Sequence, residues 1–222
     1  MTKIYLVRHC EAMGNVKQIF QGTTDCDISD LGGRQLEYLR RRFADIELDA
    51  VYSSPLLRAK KTALAIIGKK SIELKTDNGL IELDGGVVEG MPFLEAFNSV
   101  PGLLDVWKNR PQDFAPPAGE SMRSAYARID RTAQKIIAEN RGKAIAVSSH
   151  GGILRCLLCK FIKNDIEYLN DIPGLENTAV SLIELDDNGN VNVPVLNDIS
   201  HLPQGLLNRK SRVAAYLTGD DK

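Results

Sequence analysis

The sequence predicts an α/β fold: a three-layer sandwich in which a central, mostly parallel sheet is flanked by helices. Three observations carry this. Strand-like and helix-like patterns alternate along most of the 222 residues, the order that yields a parallel sheet covered by helices. The short apolar runs Ile4-Tyr5-Leu6-Val7 and Ala144-Ile145-Ala146-Val147 read as strands buried on both faces. Chemistry-bearing residues follow such runs directly: Arg8-His9 after the first, Ser148-Ser149-His150-Gly151-Gly152 after the second.

Each element has a local reason. After Val7 comes a polar loop carrying Gly14, Gly22 and Gly32. Ser29 or Asp30 can cap a helix to about Phe43, with Leu36, Leu39 and Phe43 on one face. The second strand lies near Ala50–Tyr52, and Pro55 sits close to the start of a helix through Ile67. Ile72–Leu74 is a short third strand. Residues 79–118 hold five glycines and five prolines, with short helical pieces expected around Leu94 and Leu103–Trp107. A long irregular insertion of this kind reads as a lid or specificity element. Ser121–Asn140 is an amphipathic helix ending before Gly142. The strand at 144–147 and a helix at 152–162 follow. Thr178–Leu185 and Val191–Leu196 form a hairpin through Asp186-Asp187-Asn188-Gly189-Asn190. The tail, 203–222, is mixed in character. With no internal repeat and no low-complexity linker, residues 1–222 are expected to form one domain.

Composition narrows the function. The chain is 43% hydrophobic and 26% charged, with net charge −1. That suits a full-size core and gives no global attraction to nucleic acid or anionic membrane, so any cationic site must be local. No charged-then-apolar leader and no membrane-length apolar run is evident, and cytoplasm is the expected compartment. Cys156-Leu157-Leu158-Cys159 matches C-x-x-C, but it lies mid-helix among Ile153, Leu154, Leu157 and Leu158. Core cysteines one turn apart are expected there, rather than a redox or zinc pair.

Ligand sites in open α/β sheets form outside the carboxyl ends of the strands. Two of the three histidines, His9 and His150, lie at such ends, and Arg58 follows Ala50-Val51-Tyr52-Ser53 at a third. Two imidazoles and the guanidiniums of Arg8 and Arg58 suggest an oxyanion, above all a phosphate. A neutral imidazole is a competent nucleophile toward phosphorus, and a second can hydrogen-bond the transferring group. Gly151-Gly152 opens a helix whose first N–H groups suit an anion. A departing alkoxide needs a proton, and Glu82, Asp84 and Glu89 are the candidate donors. Each feature has a plain alternative. Arg-His pairs are mostly surface pairs, strand-end histidines are often structural, Arg58 can belong to a solvated face with Lys60 and Lys61, and residues 82–89 can be a solvated loop. Three strand ends delivering cations together outweigh these.

The segment Leu6-Val7-Arg8-His9-Cys10-Glu11-Ala12-Met13-Gly14-Asn15 resembles the signature of the histidine phosphatase superfamily, in its phosphoglycerate-mutase-like branch. The likeness continues through Gln21-Gly22, Asp25, Ile28–Gly32, Tyr52–Thr62 with Arg58, Leu80-Ile81-Glu82, Glu89-Gly90, Gly119-Glu120-Ser121, Ser149–Gly152 and Asn177-Thr178. It covers nearly the whole chain in the family's order. It implies that His9 is the phosphorylated nucleophile and that Arg8, Arg58 and His150 form the phosphate pocket. Asn15 adds a side-chain donor, Gln21, Gly22 and Gly151 are further substrate contacts, and Glu82 is the proton donor. The acid-phosphatase branch has a His-Asp pattern where this chain has His150-Gly151, so the acid is expected from the Glu82 loop. Cys10 departs from the family's usual Gly and is expected to be a passive small residue.

Mutases and phosphatases of this family share the phosphohistidine. Between Glu82 and Gly119 the chain resembles the shorter phosphatases; the segment has only Lys108 and Arg110 as cations, besides Met91, Phe93, Phe97, Trp107 and Phe114. The expectation is therefore a phosphomonoesterase acting on a small organic phosphate, with Phe93 and Trp107 as apolar substrate contacts or, alternatively, core. No cofactor and no metal are expected, and no nucleic-acid or membrane partner; a homodimer stays open. The alternatives are a cofactor-dependent phosphoglycerate mutase and a non-catalytic phospho-ligand binding module. The segment Asn197-Asp198-Ile199-Ser200-His201-Leu202 is similar to phosphatases of this branch, including α-ribazole phosphatase-like members.

Overall fold

The computed structural model describes residues 1–207; the part of the tail beyond Leu207 lies outside them. Six strands form one sheet in the order β3-β2-β4-β1-β5-β6: β1 Thr2–Arg8, β2 Ala50–Ser53, β3 Leu74–Thr76, β4 Ala144–Ser149, β5 Val180–Leu185 and β6 Val191–Asp198. β3, β2, β4 and β1 pair in parallel, whereas β5 and β6 add antiparallel strands beside β1. The α/β class and the mostly parallel sheet are as expected from the alternation.

The helices are α1 Met13–Val16, α2 Asp30–Arg42, α3 Leu57–Ile67, α4 Phe93–Ser99, α5 Leu103–Asn109, α6 Met122–Glu139 and α7 Gly151–Lys163. Side chains on a strand alternate between faces, and that period divides the core in two. Ile4, Leu6, Ala50, Tyr52, Ile145 and Val147 join the cluster that includes Ile129 and Ile136 of α6 and Ile153, Leu154, Leu157 and Leu158 of α7. Val7, Val51 and Ala146 face the opposite cluster, with Leu36 and Leu39 of α2 and Ala63, Ile66 and Ile67 of α3. Ser29 caps α2 by accepting from the Gly32 N–H, and Ser121 caps α6 by accepting from the Ser124 N–H. Asn164, at φ 55°, ends α7 in the left-handed conformation.

Several boundaries differ from the sequence reading. β3 begins at Leu74, where its pairing with Val51 begins, because Ile72 turns back to donate to the Lys70 carbonyl. β5 begins at Val180 rather than Thr178, because Thr178 has φ 58° and cannot continue a strand.

Residues 79–118 carry the two short helical pieces expected there, as α4 and α5, together with short 3-10 turns, and much of the segment is core. Phe97, Trp107 and Phe114 interlock with ring centroids 4.8 to 6.1 Å apart, and Phe20 stacks on Phe114 at 6.2 Å. Such pairs add to plain area burial. Phe93, expected as a substrate contact or as core, is 6% exposed at the start of α4 and joins the large core cluster. Phe93→Ala is therefore expected to cost about 3–5 kcal/mol of stability while scaling all substrates alike. A melting curve and two unlike phosphate esters check this; a changed substrate ranking at an unchanged melting temperature would return Phe93 to the binding site.

Cys156 and Cys159 are buried and free. Cys156 Sγ lies 3.4 Å from Met122 Sδ, and Cys159 Sγ donates to the Asp165 carbonyl at 3.2 Å. Burial pushes both thiols up, which suits inert core residues.

Candidate active site

β2, β4 and β1 are neighbours, and their registers pair Ser53 with Ser148 and Arg8 with Ser149. Their carboxyl ends are therefore level. The next residues stay stitched together: the His9 N–H donates to the Ser149 carbonyl at 2.9 Å, and the Ser54 N–H to the Ser148 carbonyl at 3.0 Å. Arg8, His9 and His150 emerge side by side, and Arg58 reaches them from the first turn of α3. All four are buried. The imidazoles of His9 and His150 lie 5.1 Å apart, centroid to centroid, tilted by 60°.

The hydrogen bonds assign the tautomers. His9 Nδ1 lies 2.7 Å from the Cys10 carbonyl, which can only accept. Nδ1 therefore carries the proton, and Nε2 presents a lone pair. Arg58 Nε, a donor only, lies 3.2 Å from His150 Nδ1. His150 is thus protonated at Nε2, which donates to Ser54 Oγ at 2.8 Å. Burial first, then the charges of Arg58 and Arg8, hold His9 well below the usual imidazole range. Burial, Arg58, His9 and Arg8 do the same to His150. Both rings are neutral at pH 7.

The guanidiniums are anchored by carbonyls. Arg58 donates through Nη1 to the Thr24 carbonyl at 2.7 Å and through Nη2 to those of Gln21 and Gly22 at 3.2 and 3.0 Å. Arg8 donates through Nη1 to the Leu175 carbonyl. Asn15 is buried in α1, where its Oδ1 accepts from the Ala12 N–H at 2.9 Å. Its carbonyl end is thereby committed, and only its NH2 end can meet an anion.

The loop carrying Gln21 and Gly22 is pressed onto the acidic loop. A Cβ on Gly22 would lie 2.0 Å from the Leu83 carbonyl oxygen, so only glycine fits that approach. Gln21 packs instead on Gly14, where a Cβ would meet its amide oxygen at 2.2 Å. Glu89 rivets the two loops: its carboxylate accepts from the N–H groups of Gly22, Thr24 and Gly85 at 2.8 to 2.9 Å. Asp84 closes a local turn by accepting from the Gly86 N–H. Glu89, with three backbone amides on its carboxylate, is thereby committed to holding the loops rather than to donating a proton.

Glu82 is placed differently. Its Oε1 accepts from the N–H groups of Leu83 and Ile153, both at 3.0 Å, and its Oε2 from that of Gly152 at 2.9 Å. It therefore sits on the first turn of α7, immediately after His150. The Gly152 and Ile153 amides at the opening of that helix are thereby occupied by Glu82 rather than held for the phosphate. Gly151 lies against Arg8, since a Cβ there would come 3.4 Å from Arg8 Nε.

Cys10, expected as a passive small residue, is buried with an ordinary φ, and its N–H donates to Thr62 Oγ1 at 3.0 Å. Burial pushes its thiol up to about 12, so it fits as a passive side chain. Sequence reasoning assigns no role to Ser54, the partner of His150, to the Leu175 carbonyl under Arg8, or to the Asn177 amide, which donates to the His9 carbonyl at 2.9 Å. Ser54 and Asn177 stand in the resembling motifs, whereas nothing in the sequence signals Leu175. Among the described residues, no group of three or more His, Cys, Asp or Glu side chains is arranged to hold a metal ion, and no helix is long and apolar enough to cross a membrane.

A family model described as histidine phosphatase superfamily, branch 1, matches residues 4–198. Phosphoserine phosphatase 1 of Hydrogenobacter thermophilus is 31% identical over 202 residues, 91% of this chain and 95% of its own. A 2,3-bisphosphoglycerate-dependent phosphoglycerate mutase of Methylocella silvestris is 32% identical over 181 residues, 78% of this chain and 86% of its own. The solved structure of YhfR from Bacillus stearothermophilus superposes with a TM-score of 0.85 at 30% identity, covering 90% of this chain and 99% of that one.

Proposed function

The chain belongs to branch 1 of the histidine phosphatase superfamily and is a phosphomonoesterase, and on that premise we propose that it cleaves a small organic phosphate through a phosphohistidine at His9. The observation that carries the mechanism is the pair of neutral imidazoles 5.1 Å apart, set with two buried arginines at three level strand ends. The Nε2 lone pair of His9 attacks phosphorus, and the bond from phosphorus to the ester oxygen breaks. Arg8, Arg58, His150 and the NH2 end of Asn15 hold the oxygens that bear the charge. Glu82, as general acid, delivers a proton to the leaving oxygen. A carboxylate oxygen has about two acceptor sites, and Oε1 already accepts two N–H bonds, so Oε2 is the oxygen with room to pass the proton. In the second half a water attacks phosphorus, Glu82 takes its proton, the bond to His9 breaks, and inorganic phosphate leaves.

Phosphoserine is the first substrate to try, since it gives its name to the Hydrogenobacter relative. Phe93, Phe97 and Phe114 are committed to the core, so apolar selection of the leaving group does not rest on them. Residues 1–222 are read as one catalytic unit, and the free cysteines fit a reducing compartment such as cytoplasm.

The mutase reading is less well supported. A mutase must hold a second phosphate while excluding water, and Arg110 in the 79–118 segment faces Asp105 and Asp113. The test is phosphate release from phosphoserine, 3-phosphoglycerate, sugar phosphates, nucleotides and α-ribazole phosphate, run beside a coupled mutase assay with 2,3-bisphosphoglycerate. Phosphate release that survives EDTA and is inhibited by orthovanadate is expected. Mutase turnover exceeding phosphate release would overturn the reading, and tight binding without turnover would indicate a binding module.

A further inference from the structure

The segment Asn197–Leu202 stood out in the sequence, and the proposed chemistry leaves it unused. In the structure it grips the back of the site. Asn197 accepts from the Glu176 N–H at 2.9 Å and donates to the Gly174 carbonyl at 3.2 Å. His201 reaches Thr178 Oγ1 through Nε2 at 3.3 Å, while Arg42 Nη1 lies 3.1 Å from its Nδ1. Both ends of the loop 174–178 are therefore held by one short stretch of chain.

That loop is what holds Arg8 and His9 in place. Leu175 offers its carbonyl to the Arg8 guanidinium. Asn177 donates through Nδ2 to the His9 carbonyl at 2.9 Å. The Thr178 N–H donates to the Arg8 carbonyl at 3.1 Å. Thr178 does this at φ 58°. A β-branched residue there is a true outlier, kept only where its surroundings over-determine it.

The surroundings that hold Thr178 can be named atom by atom. Its hydroxyl donates to the Asn177 carbonyl at 2.7 Å, so its oxygen is the acceptor for His201. Arg42 can only donate, so His201 Nδ1 accepts and Nε2 carries the proton. Both ring nitrogens are used by the neutral form alone. The charged groups facing the ring are Arg42 from α2, which is paired with Asp198 at 2.6 Å, and Asp198 itself at the end of β6. Burial first, and then Arg42, push His201 down to about 4, in keeping with a neutral ring.

We propose that His201 is a positioning residue: through Thr178 it holds the strained turn that fixes the Arg8–His9 backbone and the Arg8 guanidinium for phosphoryl transfer. This rests on His9 being the nucleophile. Without the bond from His201, Thr178 relaxes from its left-handed conformation, its N–H leaves the Arg8 carbonyl, and the neighbouring Asn177 and Leu175 contacts loosen.

The test is a double-mutant cycle read in kcat for p-nitrophenyl phosphate, with His9→Ala as control and a melting curve for each variant. His201→Ala is expected to lower kcat about ten- to a hundredfold, the scale of an ångström-size misplacement. Glycine adopts positive φ without strain, so in a Thr178→Gly background the same His201→Ala change is expected to cost less than about twofold. A merely structural His201 lowers the melting temperature and costs the same factor in kcat in both backgrounds, and that result overturns the proposal. So does an unchanged kcat in His201→Ala. If His201→Ala does not fold, Thr178→Val severs the bond from the other side, and wild-type kcat in that variant is the overturning result. Retained turnover in His9→Ala removes the nucleophile reading and this proposal with it; an inactive His9→Ala beside an undiminished His201→Ala removes the positioning proposal alone.

Discussion

His9→Ala is expected to abolish turnover, with a loss on the order of 10⁴-fold or more, as when a nucleophile is removed from other covalent catalysts. The reason is the absence of a substitute. His150 is the nearest imidazole, but its Nδ1 accepts from Arg58 and its Nε2 carries the proton donated to Ser54. Of the two rings, His9 is the one that keeps an unshared pair, at Nε2. Rapid quench should find acid-labile phosphate on the wild-type protein and none on the variant. Substantial hydrolysis by His9→Ala would sink the assignment.

The same burial gives a pH signature. His9 and His150 both lie well below their unfolded value near 6.5. Below pH 6.5 the unfolded chain therefore binds protons that the folded protein refuses. Stability is full above that pH and falls as pH drops through 6.5 toward the depressed folded values. The acidic limb that His9 imposes on kcat/KM should likewise lie below 6.5. A melting temperature that rises between pH 7 and pH 5 would contradict two buried neutral rings.

What the sequence made legible was set by periodicity and by strand ends. Ile4 and Leu6 on one face and Val7 on the other follow from a period of two, and the sheet places them so. Once β1, β2 and β4 are strands of one parallel sheet, their ends are on one side by construction, so Arg8, His9, Arg58 and His150 had to be neighbours. The contacts that closed the site were not legible, because they run between backbone groups. Nothing in Gly151-Gly152 says whether its amides meet a phosphate or the Glu82 carboxylate. Nothing in Leu175 marks its carbonyl as the seat of Arg8. The aromatics of 79–118 had the same ambiguity: Phe93 suits a pocket wall and a core equally, and only the packing of α4 decided it. Thr178 shows the remaining blind spot, since a threonine gives no warning of a positive φ.

Glu82→Gln is expected to slow hydrolysis of an alkyl phosphate such as phosphoserine by about 10²–10⁴-fold, the usual worth of general acid catalysis, and to slow p-nitrophenyl phosphate far less. An alkoxide cannot leave without a proton, whereas nitrophenolate can. The carboxylate's setting makes the comparison of substrates necessary. All three of its partners are N–H donors, on Leu83, Gly152 and Ile153, and a glutamine must turn its own NH2 toward at least one of them. The variant therefore loses a hydrogen bond at the start of α7, next to His150, at a cost of about 1–3 kcal/mol. That structural cost acts on every substrate equally, so the ratio of the two losses isolates the proton. A large ratio assigns the acid to Glu82. Equal losses on both esters would mean that Glu82 only fastens α7. The search for the acid would then pass to Asp84, because Glu89 already spends its carboxylate on Gly22, Thr24 and Gly85.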